Sequence, residues 1–400
     1  MAKKLSIICS HPIQYYAPVF KLIAANHDID LMVFYTLGSE NQTDQGFKQN
    51  IIWDIPLLEG YPHEFIENVS KNPGSHHYKG IINPDLISKI NAFKPDALLI
   101  YGWAYSSHLK VMRYFHRKIP VWFRGDSTLL DRQPYWKKLL RKFSLAMVYK
   151  NVDLAFYVGR QNFDYFRAAG LSKEQLIFAP HAVDNHRFGT YRFDEAQTLR
   201  NRLGIVDGEI LVLFAGKLER KKSPDLLLQA FLELNADDVH LLFVGNGELE
   251  ENLKSVVKSF TNPPPAPSKG GQDSSTKERI HFLDFKNQSE MPVIYQACDL
   301  FCLPSKGPGE TWGLAVNEAM AAVKAVLISD RVGCGIDLVE IGKNGYIFKA
   351  QDENDLLVNL KILVEDQAAL AEMGKRSAEK IKQWSFKLQV EAIMEAINKL

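Results

Sequence analysis

Short apolar strands alternate with helical patterns along this chain, and the alternation runs through twice. Strand-like runs such as Leu5–Cys9 and Ala97–Tyr101, and later Ile210–Ala215 and Leu300–Leu303, are separated by segments with helical spacing of apolar residues. Parallel strands need a crossover connection between them, which is usually a helix. The sequence therefore predicts an α/β fold with two Rossmann-like, doubly wound domains that face a cleft.

The two alternating halves are separated by a charged stretch without strand character. We therefore predict an N-terminal domain over residues 1–187, a linker over residues 188–208 and a second domain over residues 209–380. The remaining residues, 381–400, have the apolar spacing of one more amphipathic helix. Within the second domain, Asn262–Lys277 is rich in proline, glycine and serine, so we predict a disordered loop there.

Charge and composition exclude several classes of protein. The chain has 48 Lys and Arg against 47 Asp and Glu, a net charge of +1, so nothing global indicates a nucleic-acid partner. No window approaches the roughly 18 apolar residues of a spanning helix, and the apolar run before His11 is too short for a signal peptide. Cys9, Cys298 and Cys302 lie in apolar contexts, which favours buried thiols in a reduced compartment. These features predict a soluble, cytoplasmic protein.

The stretch Gly309–Ala321, GETWGLAVNEAMA, is a predicted turn from a buried strand into a helix. Thr311 is a predicted N-cap, and the amides of Trp312, Gly313 and Leu314 should then point out of the helix start. Helix starts with free amides and a positive dipole end bind anions. This turn is therefore a predicted phosphate site.

Two further glycine turns follow predicted strands of the second domain. Gly216–Pro224 contains four cations, and Val244–Glu248 contains Gly245 between a strand and a helix. Parallel strands end at one edge of a sheet, where ligands of such folds bind. The cationic run alone is also compatible with a solvated basic loop. Together, cations for a diphosphate and the carboxylates of Glu310 and Glu318 for sugar hydroxyls predict a nucleotide-sugar site.

The segment from Glu310 to Glu318 resembles the E-x7-E motif of retaining GT-B glycosyltransferases, in the group named glycosyltransferase family 4. The resemblance covers most of residues 150–385, since Pro180–Phe188 is also similar to the stretch before the linker in that family. It implies that Glu310 binds the donor sugar and that Glu318 binds the ribose. It further implies that the amides after Glu310 hold the phosphate or the sugar, and that residues 381–400 cross back to the first domain.

A second motif of the same family lies in the cationic turn. Gly216, Lys217 and Leu218, followed by Lys222, are similar to a Gly-Arg-Leu…Lys pattern whose two cations hold the donor diphosphate. Lys217 stands where the family usually has an arginine. It keeps the positive charge but lacks the planar guanidinium group, which can donate two parallel hydrogen bonds. Asp284 stands where the family usually has a glycine.

The first domain resembles the family less closely. His11 and Gln14 follow the first strand, as similar residues do in a subset of bacterial members, and we predict that they face the cleft. Many members have a histidine where this chain has Asp126, so Arg124 and Asp126 are the other candidates on the acceptor side. His11 is also compatible with a turn histidine packed by the next proline, and Arg124 and Asp126 with a simple ion pair.

The resemblance implies a retaining GT-B glycosyltransferase of the hexosyltransferase class. Such an enzyme moves a sugar from a nucleoside-diphosphate sugar to a hydroxyl acceptor in bacterial polysaccharide, glycolipid or glycoconjugate synthesis. The candidate catalytic residues are Glu310, Lys217, Lys222, Asp126 and His11. No cofactor and no metal is expected, because lysines and amides can stabilise the departing diphosphate.

Two other functions use the same donor contacts. A nucleotide-sugar epimerase of this fold would act without an acceptor, and a non-catalytic nucleotide-sugar binding protein could lose the glutamates, which are both present here. A Rossmann dehydrogenase is excluded, because Cys9–Gln14 lacks the GxGxxG pattern expected after the first strand.

A basic segment of the first domain indicates where the acceptor binds. Tyr135–Phe143 places Trp136, Leu139, Leu140 and Phe143 along one helical face with cations around it. A basic helix with Trp and Leu is typical of an interfacial membrane segment, which predicts a peripheral position on the cytoplasmic membrane face and a glycan or lipid-linked acceptor. The pattern is also compatible with an apolar stripe that packs on the sheet and leaves the cations in solvent.

Overall fold

The structure is a computed structural model that describes residues 2–37, 53–131, 134–261 and 279–400, together with the backbone of two short strands within residues 38–52. The predicted loop Asn262–Lys277 lies outside the described residues. In chain order the strands are β1 (Lys3–Cys9), β2 (Ile29–Tyr35), β3 (Thr43–Asp44), β4 (Gln49–Asn50), β5 (His63–Phe65), β6 (Ala97–Tyr101), β7 (Val121–Arg124), β8 (Leu154–Tyr157), β9 (Leu176–Phe178), β10 (Ile210–Ala215), β11 (Val239–Val244), β12 (Ile280–Leu283), β13 (Leu300–Leu303), β14 (Ala325–Ser329) and β15 (Gly345–Phe348).

The helices lie between these strands and after the last of them, with one 3-10 turn at Tyr78–Gly80. They are α1 (Ala17–Ala24), α2 (Leu86–Phe93), α3 (Ser106–Phe115), α4 (Tyr135–Tyr149), α5 (Arg160–Ala168), α6 (Asn185–Gly189), α7 (Phe193–Arg202), α8 (Pro224–Leu234), α9 (Glu250–Thr261), α10 (Met291–Ala297), α11 (Leu314–Ala321), α12 (Gly335–Leu338), α13 (Glu353–Val364), α14 (Gln367–Ile381) and α15 (Phe386–Asn398).

The chain folds as two compact units. The first contains Met1–Gln42, Ile55–Ala182 and Trp384–Leu400, and the second contains Thr43–Asp54 and Val183–Gln383. The segment that the sequence predicts to be a linker thus belongs to the second unit, where it contains the end of α6 and the whole of α7. Helix α7 packs against α10, and the Arg200 guanidinium joins Asp299 at 2.9 Å.

The first unit is built on a seven-stranded sheet in the order β5-β2-β1-β6-β7-β8-β9. All of its neighbouring strands pair in parallel, as the alternation of strands and helices predicts. Every residue of β6 is buried, because helices cover both faces of a parallel sheet. The sequence does not predict the short strand β5, because its three residues, His63–Phe65, are only partly buried and do not form an apolar run.

The second unit has a six-stranded sheet in the order β12-β11-β10-β13-β14-β15, again parallel throughout. Its central strand β10 is buried along its whole length and matches the predicted range Ile210–Ala215. The prediction of an α/β fold with two Rossmann-like domains is therefore confirmed for each unit.

The last helix, α15, packs against α1, β1 and β9 of the first unit. Ile393 and Ile397 are fully buried there, and the Gln389 amide lies 3.5 Å from the Tyr101 hydroxyl. All four cysteines are buried free thiols, as predicted for Cys9, Cys298 and Cys302. Within the described ranges, none of the helices has the length and apolar character needed to cross a bilayer.

Candidate functional site

Three turns of the second unit leave the carboxyl ends of three adjacent strands. The strand order β11-β10-β13 places the turns after Val244, Ala215 and Leu303 side by side at one edge of the sheet. Backbone hydrogen bonds connect them: the Leu218 amide donates to the Asn246 carbonyl at 3.0 Å, and the Lys306 amide donates to the Lys221 carbonyl at 2.8 Å. The sequence prediction that the three turns share an edge is confirmed.

Two glycines allow the first two of these turns to touch. Gly216 has φ +149° and Gly245 has φ +129°, a region that residues with a Cβ rarely adopt. A Cβ added to Gly245 would lie 2.2 Å from the Gly216 carbonyl oxygen, so no side chain fits there. The backbones of the two turns are therefore in direct contact, with the aliphatic part of Lys222 close to Gly216.

Lys222 and Glu310 form an ion pair between the first and third turns. The Lys222 Nζ lies 2.8 Å from Glu310 Oε2, and the side chains are only 16% and 10% exposed. The Ser305 hydroxyl donates to the same carboxylate oxygen at 2.9 Å. The cationic run is thus more than a solvated loop, because one of its lysines is held in a partly enclosed pair with a predicted site glutamate.

The electrostatics of this pair keep Glu310 ionised. Burial by itself would raise the pKa of Glu310, but the charge and hydrogen bond of Lys222 and the hydrogen bond of Ser305 hold it below its ordinary value. Glu310 is therefore a carboxylate at neutral pH, which can accept hydrogen bonds from hydroxyl groups.

The other cations of the run have different surroundings. Lys221 pairs with Glu219 at 3.2 Å, and Arg220 lies 3.8 Å from Glu248 with its side chain 79% exposed. Lys217 is partly buried in the same turn. Lys222, with its side chain 16% exposed, is thus more enclosed than Lys221 and Arg220, and Lys217 lies beside it in the same turn.

Glu318, the second glutamate of the motif, is 4% exposed on α11. The Tyr295 hydroxyl of α10 donates to its Oε2 at 2.9 Å. One residue earlier, Asn317 accepts a hydrogen bond from the buried Trp312 indole at 2.8 Å. Tyr295 was not found from the sequence, since no spacing relates α10 to the motif. The two hydrogen bonds fix the side chains that the start of α11 presents.

The start of α11 differs from the prediction. The helix begins at Leu314 with Gly313 as its N-cap, so the prediction that Thr311 is the N-cap was wrong. Gly313 has φ +95°, and a Cβ there would lie 2.6 Å from the Val332 side chain. Only glycine suits this left-handed turn, which moves the helix start past Thr311. The amides of Trp312, Gly313 and Leu314 stay a predicted anion site.

Asp284, which stands in place of a family glycine, is part of this edge of the sheet. Its Oδ1 accepts a hydrogen bond from the Asn246 side-chain amide at 3.1 Å. The same Asn246 side chain accepts the Phe285 backbone N–H at 2.7 Å. Asp284 therefore orders the second turn through Asn246.

The predicted acceptor-side residues lie at the carboxyl edge of the first unit's sheet. His11 follows β1 and its Nδ1 is 2.9 Å from the Ser10 hydroxyl, while Gln14 is partly buried just before α1. Arg124 ends β7 at 2% exposure, and its guanidinium donates to the carbonyls of residues 179 and 180 at 2.8 and 3.1 Å. Asp126 follows two residues later, and its charge opposes the lowering of the Arg124 pKa by burial.

His181 is a candidate that the sequence reading did not select. It is 5% exposed, and its ring stacks on Tyr16 with centroids 6.2 Å apart. Burial and, to a smaller extent, the charge of Arg124 lower the pKa of His181 to about 4, against the opposing charge of Asp126. The signal for it was its place in the family-like stretch after β9, next to the proline that Arg124 contacts.

Among the residues with described side chains, no group of three or more His, Cys, Asp and Glu is arranged to hold a metal ion. The Asp28–Asp30 pair, which resembles a metal-binding DxD in sequence, lies at the amino end of β2, away from the ligand edge of the sheet. Asp30 there pairs with Lys4 at 3.4 Å.

Several known proteins are similar to this chain in sequence. SQD2, a sulfoquinovosyl transferase of Arabidopsis thaliana, is 25% identical over 324 residues, which cover 76% of this chain and 57% of that protein. A D-inositol 3-phosphate glycosyltransferase of Rhodococcus opacus is 23% identical over 369 residues, 86% of this chain and 78% of that protein. The chain spans only about half the length of SQD2 and of two other curated relatives, between 48% and 59%.

Solved structures share the fold. HepE of Anabaena, crystallised with UDP and glucose, is 18% identical with a TM-score of 0.70 over 100% of both chains. Sucrose-phosphate synthase from Thermosynechococcus elongatus is 17% identical with a TM-score of 0.72, covering 99% of this chain and 98% of that one. Residues 209–366 match the model of the family described as Glycosyl transferases group 1. Residues 209–366 are therefore similar to the group 1 glycosyl transferases, and the chain has an α/β fold of the GT-B class.

Proposed function

We propose that the chain is a retaining glycosyltransferase of the hexosyltransferase class, which moves a sugar from a nucleoside-diphosphate sugar to a hydroxyl acceptor. The observation that carries this proposal is the Lys222–Glu310 pair, joined at 2.8 Å at the sheet edge where two glycine turns meet. It offers a cation for a diphosphate and a carboxylate for sugar hydroxyls at one place.

The residues of this edge divide the chemistry between them. Lys217 and Lys222 stabilise the negative charge that develops on the diphosphate as its bond to the sugar breaks, so no metal ion is needed. Ionised Glu310 accepts hydrogen bonds from the sugar, and Glu318, held by Tyr295, accepts them from the ribose hydroxyls. A partly buried site strengthens these interactions relative to water.

Relatives suggest the first substrates to test. HepE was crystallised with UDP-glucose, so a UDP-hexose is the first donor to test. One relative is named a D-inositol 3-phosphate glycosyltransferase, so inositol phosphate is included among the acceptors to test. We propose a glycan or lipid-linked hydroxyl acceptor in bacterial polysaccharide, glycolipid or glycoconjugate synthesis. We propose that the acceptor contacts His11, Gln14 and Asp126, and that the reaction takes place at the cytoplasmic face of the membrane.

The test is mass spectrometry of products from a panel of UDP-, GDP- and ADP-sugars, each with and without glycan, inositol phosphate and lipid-linked acceptors. We expect a glycosylated product and free nucleoside diphosphate only with an acceptor, and NMR of the new bond should show the donor's anomeric configuration. A changed sugar without any acceptor would identify an epimerase. Binding without any product across the panel would favour a non-catalytic nucleotide-sugar protein.

Variants connect the activity to the proposed residues. Lys222→Met and Glu318→Gln should each lower kcat/KM by about one to two orders of magnitude, since each removes a charged hydrogen bond. Lys382→Met is the matched control, because the Lys382–Glu379 pair has a similar length of 2.7 Å but side chains 65% and 71% exposed. Unchanged kcat/KM in both site variants would reject the assigned donor site.

A further inference from the structure

Helix α4 of the first unit presents an apolar face to solvent. Trp136, Leu140, Phe143 and Met147 are between 59% and 64% exposed, and Leu139 is 45% exposed. With 3.6 residues per turn, these five side chains lie within an arc of about 100°. Single exposed apolar residues are common on proteins, but a continuous stripe of this kind marks an interaction surface.

The opposite face of α4 is the one that packs on the sheet. Leu145, Val148 and Tyr149 are at most 6% exposed and belong to one core cluster with residues of β7, α3 and α5. The alternative in which the stripe of Trp136 and Phe143 packs on the sheet is therefore wrong, because that side of the helix is already occupied by other apolar residues.

Positive charge surrounds the exposed stripe. Lys137 and Lys142 are exposed on α4, and Lys110 and Arg113 are exposed on α3, which packs on the same core cluster. From His108 to residue 150 the sequence contains eleven Lys or Arg and two Asp, in a chain of net charge +1. The excess of nine positive charges is thus local to the part of the first unit that carries the stripe.

We propose that the exposed face of α4, from Trp136 to Met147, docks the protein on an anionic phospholipid bilayer. The apolar side chains enter the interface between headgroups and acyl chains, and the flanking cations attract the acidic headgroups. Charge complementarity selects this partner, because an acidic surface meets both features and a neutral apolar partner would leave the cations unused. The biological purpose of this docking rests on the proposed function, in which the acceptor is linked to a lipid. Binding to the bilayer itself needs no nucleotide sugar.

The expected strength follows from the side chains. Each lysine or arginine close to an anionic leaflet raises the partition coefficient about fivefold, and each large apolar side chain that enters the interface raises it about tenfold or more. Two lysines and two apolar residues together should therefore account for a factor of more than about 1,000. The charge part should weaken with salt, because exposed charges are screened over about 8–10 Å at physiological ionic strength.

The test is sedimentation of the full chain with vesicles of phosphatidylglycerol and phosphatidylcholine, compared with phosphatidylcholine alone, at low and high salt and without any nucleotide sugar. We expect binding to the anionic vesicles that weakens with salt. The variant Leu140→Ser/Phe143→Ser and the variant Lys137→Glu/Lys142→Glu should each lower the partition coefficient at least tenfold.

Matched controls separate this surface from general stickiness. Val358→Ser/Ile362→Ser changes two apolar residues of α13 that are 46% and 47% exposed, and Lys387→Glu/Lys399→Glu makes the same change of charge on α15 and at the residue that follows it. Both controls should bind as the unchanged chain does.

Three results would overturn the proposal: no sedimentation of the unchanged chain, equal losses in the controls, or α4 variants that still bind. All the substituted side chains are exposed, so the melting temperature should not change, which distinguishes lost docking from lost folding. Loss of docking with transfer to a soluble acceptor intact would leave the proposed function standing.

Discussion

Replacing Lys222 by methionine should destabilise the second unit far more than the loss of a surface ion pair. The change leaves the Glu310 carboxylate, 10% exposed, with the Ser305 hydroxyl but without its cation. Removing one partner of a buried pair costs about 3–5 kcal/mol, because an uncompensated charge remains. For a unit of about 200 residues, each kcal/mol lowers Tm by roughly 2–4 °C, so a decrease of about 10 °C is expected at pH 8.

The pH dependence gives this prediction a sign. In the unchanged protein the pKa of Glu310 is lowered, so its stabilisation is present above the unfolded value of about 4.3 and is lost as the pH falls through the folded value. Without Lys222, burial raises the pKa of Glu310. The carboxyl then takes up a proton as the pH is lowered toward 5, and the deficit of the variant should shrink.

Differential scanning calorimetry between pH 5 and 8 measures both effects on the transition of the second unit. Lys382→Met, which breaks an exposed pair in the same unit, should change Tm little. The double variant Lys222→Met/Glu310→Gln should recover part of the loss, since no charge is left buried. A deficit no larger than that of Lys382→Met, or one that does not vary with pH, would refute this account of the pair.

Three further predictions concern single residues of the two units. Burial lowers the pKa of His108 to about 4, so the unfolded chain binds a proton below about pH 6.5 that the folded chain does not; in urea unfolding, the loss of stability between pH 7 and pH 5 should be about 2 kcal/mol smaller in His108→Gln than in the unchanged chain. Gly313→Ala should lower kcat/KM at least tenfold, because its Cβ meets Val332, while Gly309→Ala, also at positive φ but with no atom within 4 Å, should have a smaller effect. Arg124→Met should lower the free energy of unfolding by about 3 kcal/mol in chemical denaturation, since two buried carbonyls lose their donor; an unchanged midpoint would contradict it.

Much of the sheet architecture could be predicted from the sequence, because strands buried on both faces are continuous apolar runs. Ile210–Ala215 and Leu300–Leu303 were found at their observed bounds for this reason. Strand β5 could not be predicted from the sequence, since its three residues, His63–Phe65, lie at the sheet edge and show neither a continuous apolar run nor a clear alternation of apolar and polar residues. Helices α13 and α14 were also not predicted, because they follow the last strand and the prediction relied on helices that connect two strands.

The site was predictable only as far as strand ends could be predicted. Knowing that three strands end at one edge brings Gly216, Gly245 and Glu310 together, and the structure confirms that the turns are neighbours. The contact of Lys222 with Glu310 could not be predicted, since the two are separated by 88 positions and the contact depends on the path of both loops. The prediction of Thr311 as the N-cap was wrong, because the left-handed backbone of Gly313 sets the start of the helix and outweighs the capping preference of threonine.

The position of α15 also determines the order in which the protein can fold during synthesis. The first unit needs Trp384–Leu400, yet about 200 residues of the second unit are translated between Ala182 and that segment. At about 5–20 residues per second, the surface that α15 covers waits roughly 10–40 s for Ile393 and Ile397 to arrive. The second unit, most of which is the continuous segment Val183–Gln383, can reach its final structure first, and the first unit is completed only after α15 has left the ribosome.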